Sequence, residues 1–396
     1  MPDRTSAASR LRAVPDAGAA VDRAALGARF PRVAIVHDWL TIPGGSEQVV
    51  MKLLELFPKA ELFTSVYDPE PWPAIITDRP VHATWLNRIP GATTSYRKLL
   101  PLMAGAFERF DLSSFDLVIS SNHALSKNVL TPPRTPHICY CHTPMRYAWE
   151  PRFLADEDVG GLARRALPFL LPRIRRQDLV ASTRPDLFVA NSTHVAARID
   201  KYYRRDALVV HPPVEIERYR AVERRPGDYY LVLGRVVPYK RVDLAVAACA
   251  RLDRRVLVAG DGRAMPLARA AAGPGAEFLG RVPDEQLPDL LAGARALLFC
   301  GEEDFGIVPV EAQAAGVPLI AYGVGGVRDS VADGETGILF EEQTVESVAD
   351  AILAFEERTF EEARIRAQAE QFGPERFLDR FASVVAEHAH PSPVNR

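Results

Sequence analysis

The sequence predicts an α/β protein of two doubly wound, Rossmann-like domains, and three observations carry that prediction. From Arg32 onward, short apolar runs alternate with stretches of helical periodicity. The alternation is interrupted by a proline- and charge-rich segment, Pro212-Pro213-Val214 onward to Arg225-Pro226-Gly227, and then resumes. The 396 residues suit two cores of ordinary size.

Taken in order, residues 1–29 alternate alanine, arginine and aspartate without an apolar stretch, which predicts a disordered extension and not a secretory leader. Residues 30–214 form the first domain. Its strands are expected at 33–36, 117–120, 137–141, 187–190 and 208–211, with a helix over 46–57. Residues 227–370 form the second domain, with strands at 229–233, 255–259, 277–279, 296–299 and 318–321. Residues 371–396 hold a last helix, near 375–388, expected to return to the first domain, and a tail. Two such domains facing across a cleft is the economical arrangement, because ligands of these sheets sit outside the carboxyl ends of the strands.

Composition narrows the function. With 47% hydrophobic and 25% charged residues the chain is ordinary globular protein, and a net charge of −3 gives no case for nucleic acid. Cys139, Cys141, Cys249 and Cys300 lie mostly in apolar runs and match no zinc spacing, so they read as reduced core thiols. No apolar run reaches the roughly 18 to 20 residues of a bilayer span. A cytoplasmic protein is expected, with membrane contact only at its surface. The first strand-to-helix turn, His37 to Gly45, lacks G-x-G-x-x-G, which counts against a dehydrogenase.

The most informative stretch is Glu303-Asp304-Phe305-Gly306-Ile307-Val308-Pro309-Val310-Glu311. It follows an apolar strand, turns, and enters a helix with Pro309 expected at the first helical position and Gly316 at the end. Amide groups of such a helix start form an anion site. Glu303 lies before it and Glu311 one turn inside, so the two carboxylates can accept hydroxyls on either side of a bound diphosphate. Acidic residues near a helix start also simply complement the macrodipole. Arg235 and Lys240 follow the first strand of the second domain, and a guanidinium with an ammonium can neutralise a diphosphate, unless they form a solvated basic loop. Gly44-Gly45 precedes a helix and would let phosphate approach the backbone, or is a plain turn. Gly260-Asp261-Gly262 and Gly323-Val324-Gly325-Gly326 are glycine turns at strand exits, expected to line a nucleotide pocket.

Taken together, Glu303-x7-Glu311, Arg235-x4-Lys240, Gly44-Gly45 and the strand-end His142 resemble the retaining glycosyltransferases of family 4, whose two-Rossmann-domain fold is called GT-B. The resemblance covers roughly residues 32–388. Residues 96–103 (YRKLLPLM), 141–149 (CHTPMRYAW) and 303–307 (EDFGI) look most like the O-antigen mannosyltransferase branch. The resemblance implies a nucleotide-sugar co-substrate, GDP-mannose for that branch, and neither cofactor nor metal. It assigns Glu303 to the donor sugar, with Asp304, Phe305, Gly306 and Ile307 beside it, and Glu311 to the ribose. Arg235 and Lys240 take the diphosphate, Gly44 and Gly45 the distal phosphate, and His142 the hexose near the reacting carbon. The catalytic set it implies is His142, Arg235, Lys240 and Glu303. Gly260 and Asp261 line the donor pocket, and backbone near Arg281 and Val282 reads the base, guanine or uracil. No side chain is an obvious nucleophile, which favours a front-face mechanism in which departing phosphate oxygen helps deprotonate the acceptor hydroxyl. His142 has a rival reading as a satisfied core histidine. The chain departs from the branch at Val327-Arg328-Asp329, where a small or apolar residue followed by glutamate is commoner, so the roles of Arg328 and Asp329 stay open.

The arginine-rich stretch 164–176, with its apolar centre, and residues 96–110 suit an anionic membrane face; they equally suit a buried helix with solvated arginines. On the first reading the acceptor is a saccharide or a polyprenyl-linked saccharide, the enzyme sits at the inner face of the plasma membrane, and Arg146, Tyr147 and Trp149 lie on the acceptor side. On the second, those three pack against the sheet. Two rivals of other classes, a sugar-nucleotide epimerase and a non-catalytic scaffold of the same fold, are disfavoured by the full set of donor groups.

Overall fold

The computed structural model describes residues 12–13, 21–150 and 161–390, of which 12–13 and 161–167 by their backbone alone. The chain divides into two compact units. The first runs to Pro213 and resumes at Pro374; the second is Val214–Gly373.

The first unit is built on β1 (Arg12–Ala13), β2 (Val33–His37), β3 (Glu61–Thr64), β4 (Val81–Ala83), β5 (Leu117–Asn122), β6 (His137–Cys141), β7 (Leu187–Ala190) and β8 (Ala207–Val209). They form one parallel sheet in the order β1-β8-β7-β6-β5-β2-β3-β4. Every residue of β2, β5 and β6 is buried, as expected of a parallel sheet covered on both faces. One face packs Ile35, Ile119 and Ile138 against Leu53 and Leu54 of helix α2 (Gly45–Leu56) and against Phe377, Phe381 and Val385 of the C-terminal helix Pro374–His388. The other face packs Val36 and Val118 against Met103 and Phe107. The chain leaves β2 toward β3 in one direction and later toward β6 in the other, so the strand order reverses between β2 and β5. In such a sheet that reversal marks where a ligand crevice opens at the carboxyl ends.

Strands β3, β4 and β14 (below) are not among those expected from the sequence; β4 is a half-exposed edge. A second difference concerns residues 23–29, which lie in the stretch expected to be disordered yet form helix α1 (Arg23–Arg29). Asp22 caps it, accepting the Ala24 and Ala25 amides at 2.9 and 3.2 Å. Arg23 pairs with Asp379 at 2.6 Å, and Arg29 donates to the Ala386 and Ala389 carbonyls at 2.9 and 2.7 Å. Arginines docked on the C-terminal helix do here what an apolar stripe does elsewhere. Apart from β1, the rest of that extension lies outside the described residues. Two further helices follow β6: α3 (Arg146–Trp149) and α4 (Gly161–Ala181). No helix among the described residues is long and apolar enough to cross a membrane.

The second unit holds β9 (Tyr229–Leu233), β10 (Arg255–Ala259), β11 (Ala276–Gly280), β12 (Leu297–Phe299), β13 (Leu319–Tyr322) and β14 (Gly337–Phe340), all parallel, in the order β11-β10-β9-β12-β13-β14. Its reversal falls between β9 and β12. Helix α5 (Val242–Arg251) follows β9, and α6 (Ile307–Ala314) follows β12. The segment expected to be a linker belongs to this unit from Val214 onward. The Val214 amide donates to Phe372 at 2.9 Å, and Val214, Ile216 and Tyr219 are core residues that the surrounding prolines and charges conceal in the sequence. Phe372 is in that core as well, which carries the unit's end past the expected 370 to Gly373. All four cysteines are buried and unpaired, and burial pushes the Cys139 and Cys249 thiols up to about 12.

Candidate functional site

In the second unit the residues flanking the strand reversal come together by close backbone packing. Gly234 leaves β9 at φ +120° and donates to the Ala259 carbonyl at 2.9 Å. Gly260 leaves β10 at φ +141°, and a side chain there would place Cβ 1.9 Å from the Gly234 carbonyl oxygen. Only glycine fits. Gly260→Ala is therefore expected to cost about 3 kcal/mol or more of stability, read as a lowered urea midpoint. Beyond Gly234, the turn Pro238–Lys240 lies against the exit of β12, where a Cβ at Gly301 would sit 2.8 Å from the Lys240 Cα.

This approach sets Lys240 Nζ 2.9 Å from Glu303 Oε1, both side chains mostly buried. Burial acts to lower the Lys240 ammonium, but the Glu303 carboxylate outweighs it and the pKa is raised, so the amine is charged. Arg235 stays exposed and acts on Lys240 as a neighbouring positive charge. The Glu303 loop is fixed from behind: its carbonyl accepts the Gly326 amide at 2.9 Å, and a Cβ at Gly326 would lie 2.2 Å from the Asp304 carbonyl. Phe305 is buried, and Gly306 turns at φ +90° into α6, whose N-terminus no side chain caps. The helix starts at Ile307, two residues earlier than expected. Pro309 thus stands third, still among the amides that have no helical partner, so its missing N–H costs nothing.

Glu311 lies one turn into α6. Burial raises its pKa, opposed by a hydrogen bond from the Tyr219 hydroxyl and by the charges of Arg218 and Lys240. Tyr219, which accepts from Arg218 at 2.6 Å, was not singled out by the sequence, because its neighbours read as linker. Val282 is half-buried against the core, and Ile307 likewise. Asp261 and Arg281 are exposed, and neither bonds to Lys240, Glu303 or Glu311 among the described residues. Arg328, left open by the sequence, donates from Nε to the Gly323 carbonyl and so braces the glycine turn after β13.

In the first unit, His142 follows β6 and is 9% exposed. Its Nε2 lies 2.8 Å from Ser121 Oγ, which lies 3.1 Å from His37 Nδ1; His37 Nε2 lies 3.0 Å from Glu47 Oε1. Burial pushes the His142 imidazole down to about 3, helped by His123 and His37. Asp38, fully buried, accepts four amides, those of His123, Ala124, Leu125 and Ser126, at 2.5 to 3.0 Å. Of these groups the sequence reading named only His142. The overlooked signal was polar residues closing apolar strands: His37-Asp38 after β2 and Ser120-Ser121-Asn122 in β5. Gly44 caps α2 in an extended conformation open to any residue, and Gly45 begins the helix. What glycine leaves there is an open helix start, since a Cβ at Gly44 would sit 3.0 Å from Glu47 Oε2.

The expected acceptor-side residues Arg146, Tyr147 and Trp149 share α3. Trp149 is half-buried and already partnered. One ring face lies on Tyr202, 4.9 Å away and 16° from parallel, and its Nε1 donates to Asp178 at 2.6 Å. Asp178 also holds Lys127 at 2.5 Å and Tyr203 at 2.8 Å, so this tryptophan ties α3 to α4. Arg146 and Tyr147 are half-buried beside it.

Comparison with known proteins adds a second line. Residues 43–218 match the family model described as Glycosyltransferase Family 4, and residues 215–372 match that described as Glycosyl transferases group 1. Among curated relatives, a D-inositol 3-phosphate glycosyltransferase of Streptomyces scabiei (strain 87.22) is 32% identical over 240 residues, covering 51% of this chain and 53% of its own. The chain thus spans about half the length of the relatives it matches. Their name is not that of the expected branch, an O-antigen mannosyltransferase. Among solved structures, Anabaena HepE in complex with UDP and glucose aligns with a TM-score of 0.63 at 16% identity, over 89% of this chain and 99% of its own. The apo lipopolysaccharide outer core galactosyltransferase WaaB aligns with a TM-score of 0.65 at 17% identity, over 90% and 99%. At such identities the likeness is one of fold.

Proposed function

Because the chain belongs to the group 1 and family 4 glycosyltransferases of GT-B fold, we propose that it transfers a hexose from a nucleotide sugar to a saccharide or lipid-linked saccharide, with retention and without a bound metal. The observation that carries this reading is the Lys240–Glu303 pair beside Arg235, Glu311 and the uncapped start of α6. A diphosphate leaving group gains one negative charge as its bond to the sugar breaks, and Lys240, Arg235 and the helix amides can stabilise that charge in place. Glu303 takes sugar hydroxyls and Glu311 the ribose hydroxyls. Gly44 and Gly45 leave the start of α2 open to phosphate, and His142 serves the transferred hexose. Asp304, Phe305, Gly306 and Ile307 shape the turn, while Gly260, Asp261, Arg281 and Val282 line the nucleotide side. Arg146 and Tyr147 remain acceptor-side groups.

GDP-mannose is the donor favoured by the resemblance of residues 96–103, 141–149 and 303–307 to O-antigen mannosyltransferases, and the product would enter cell-surface polysaccharide or glycolipid at the cytoplasmic side. Exposed Phe169 (83%) and Val180 (60%) on α4, with Arg173 and Arg176, support peripheral contact with an anionic membrane. A second reading, a uridine-nucleotide donor and an inositol phosphate acceptor, is favoured by the names of the relatives and by the UDP bound in HepE. Incubating the protein with GDP-mannose or UDP-glucose, and with polyprenyl-diphosphate-linked saccharide or inositol 3-phosphate, separates them by the mass of the product. No product from any pair would contradict both.

Glu311 gives a prediction of opposite signs. A carboxyl whose folded pKa is raised adds stability only while protonated, at low pH, and loses that contribution as pH rises through the folded value; at neutral pH its charge is a burden. Glu311→Gln is expected to raise the melting temperature of the free protein at neutral pH while weakening nucleotide binding roughly 10-fold or more, measured by calorimetry.

A further inference from the structure

A buried hydrogen-bonded row in the first unit has a direction that its chemistry fixes. Glu47 Oε1 at one end, as a carboxylate, only accepts, so His37 Nε2, 3.0 Å away, carries a hydrogen. The other ring nitrogen of His37, Nδ1, lies 3.2 Å from the Ser121 carbonyl oxygen and 3.1 Å from Ser121 Oγ. A carbonyl cannot donate, and this one already accepts from Ser126 Oγ at 2.9 Å. A bare Nδ1 would set its lone pair against that oxygen, so Nδ1 carries a hydrogen too, and His37 is an imidazolium paired with Glu47. Ser121 Oγ then faces a donor on the His37 side and turns its own hydrogen to the neighbour that remains, His142 Nε2 at 2.8 Å. That nitrogen accepts. A neutral His142 therefore bears its hydrogen on Nδ1, which has no hydrogen-bond partner among the described residues.

We propose that Glu47, His37 and Ser121 are positioning residues that hold His142 as the neutral Nδ1–H tautomer, so that it presents a hydrogen-bond donor, and not a base, to an oxygen of the hexose. This deepens the hexosyltransferase reading and rests on it for the identity of the oxygen. With His142 as a donor, the acceptor's proton must go elsewhere, in keeping with its capture by the departing phosphate. The surroundings agree with the assignment. Although burial works to lower the His37 imidazole, the Glu47 hydrogen bond and charge raise it, whereas burial keeps His142 and His123 neutral. The other groups facing the row are His123, whose ring centre is 5.7 Å from that of His37 and 6.3 Å from that of His142, Asp38, which lies 3.2 Å from His123 Nδ1, and the Tyr140 ring, 5.1 Å from that of His142.

The opposite polarity is chemically distinct. A neutral His37 accepting from Ser121 would make Ser121 accept from His142 Nε2–H and leave His142 Nδ1 bare. Long-range ¹H–¹⁵N correlation on the full chain labelled with ¹⁵N-histidine, assigned through His142→Gln and His37→Gln, reads both rings. The expected result is two protonated nitrogens on His37, and on His142 a bare Nε2 with a protonated Nδ1. Ser121→Ala should give mixed His142 tautomers and lower kcat about 10-fold with donor KM unchanged, and Ser121→Thr should restore both; Glu47→Gln should deprotonate His37. A His142 carrying hydrogen on Nε2, or Ser121→Ala leaving the tautomer and kcat as they were, would overturn the proposal. If the tautomers come out as expected but no donor is turned over, the positioning row stands and the hexosyltransferase reading fails.

Discussion

Lys240→Ala is expected to lower the rate of hexose transfer by about 10²- to 10³-fold at saturating donor, the range for removing one preorganised group from a developing anion. The argument rests on where Lys240 is held. The turn Pro238–Lys240 is pressed on Gly301, and the ammonium is paired at 2.9 Å with Glu303, so the charge is fixed before any substrate arrives. Its effect should fall on donor KM as well as on kcat, because the ammonium meets the diphosphate already in the bound donor and meets more charge as the bond to the sugar breaks. The stability cost should be moderate. The pair is mostly buried, at 15% and 21% side-chain exposure, so the substitution leaves the Glu303 carboxylate without its partner at a cost of about 1–3 kcal/mol. Lys240→Arg keeps the charge but not the compact ammonium geometry, and should recover only part of the rate. A loss of rate measured well below the variant's melting temperature, where the protein is fully folded, separates a chemical role from a folding one.

Asp38→Ala should produce the largest loss of stability. The carboxylate is fully buried and accepts four consecutive amides from the segment after β5, which has no other way to satisfy them. Removing it orphans four buried donors at about 1–3 kcal/mol each, less whatever water can recover, for a net cost of about 4 kcal/mol or more. Denaturant unfolding of the first unit measures it. Asp38→Asn keeps one acceptor oxygen but turns an NH₂ group toward amides, and should fall between. The pH dependence has a definite sign. Burial works to raise the Asp38 carboxyl, but His123, His37 and the amides outweigh it and lower the pKa. The contribution is therefore fully present above the unfolded value of 3.8 and is lost as pH falls through the lower folded value. In Asp38→Ala this part of acid unfolding should vanish.

The parallel strands were legible in the sequence because burial on both faces writes them as unbroken apolar runs; 137–141, 187–190, 229–233 and 255–259 coincide with β6, β7, β9 and β10. Charged residues placed just after such runs were legible for the same reason, which is how Arg235, Lys240, Glu303 and Glu311 stood out. What stayed hidden had opposite composition. Helix α1 holds itself with arginines on the C-terminal helix, and Tyr219 reaches Glu311 from a segment whose prolines and charges look like a linker. The Glu47–His37–Ser121–His142 row was hidden more deeply. Its members are 10, 84 and 21 positions apart, and the pairing of β5 with β2 on one side and β6 on the other brings them into register. Trp149, an aromatic in a suggestive motif, has packing partners in Tyr202 and Asp178 that its motif did not reveal.

The central claim is that the second unit holds a nucleoside diphosphate sugar through Lys240, Glu303 and Glu311, and thermal stabilisation tests it most directly. The intact chain, Lys240→Ala and Glu311→Ala would each be melted with GDP, UDP, ADP, GDP-mannose and UDP-glucose. The account predicts that one base stabilises the intact protein by about 2.7 kcal/mol at a hundredfold excess over Kd, and that both substitutions remove most of the shift. A guanine preference would select the mannosyl donor, and a uracil preference the second reading. No shift with any nucleotide, or a shift that both substitutions leave intact, would contradict the account.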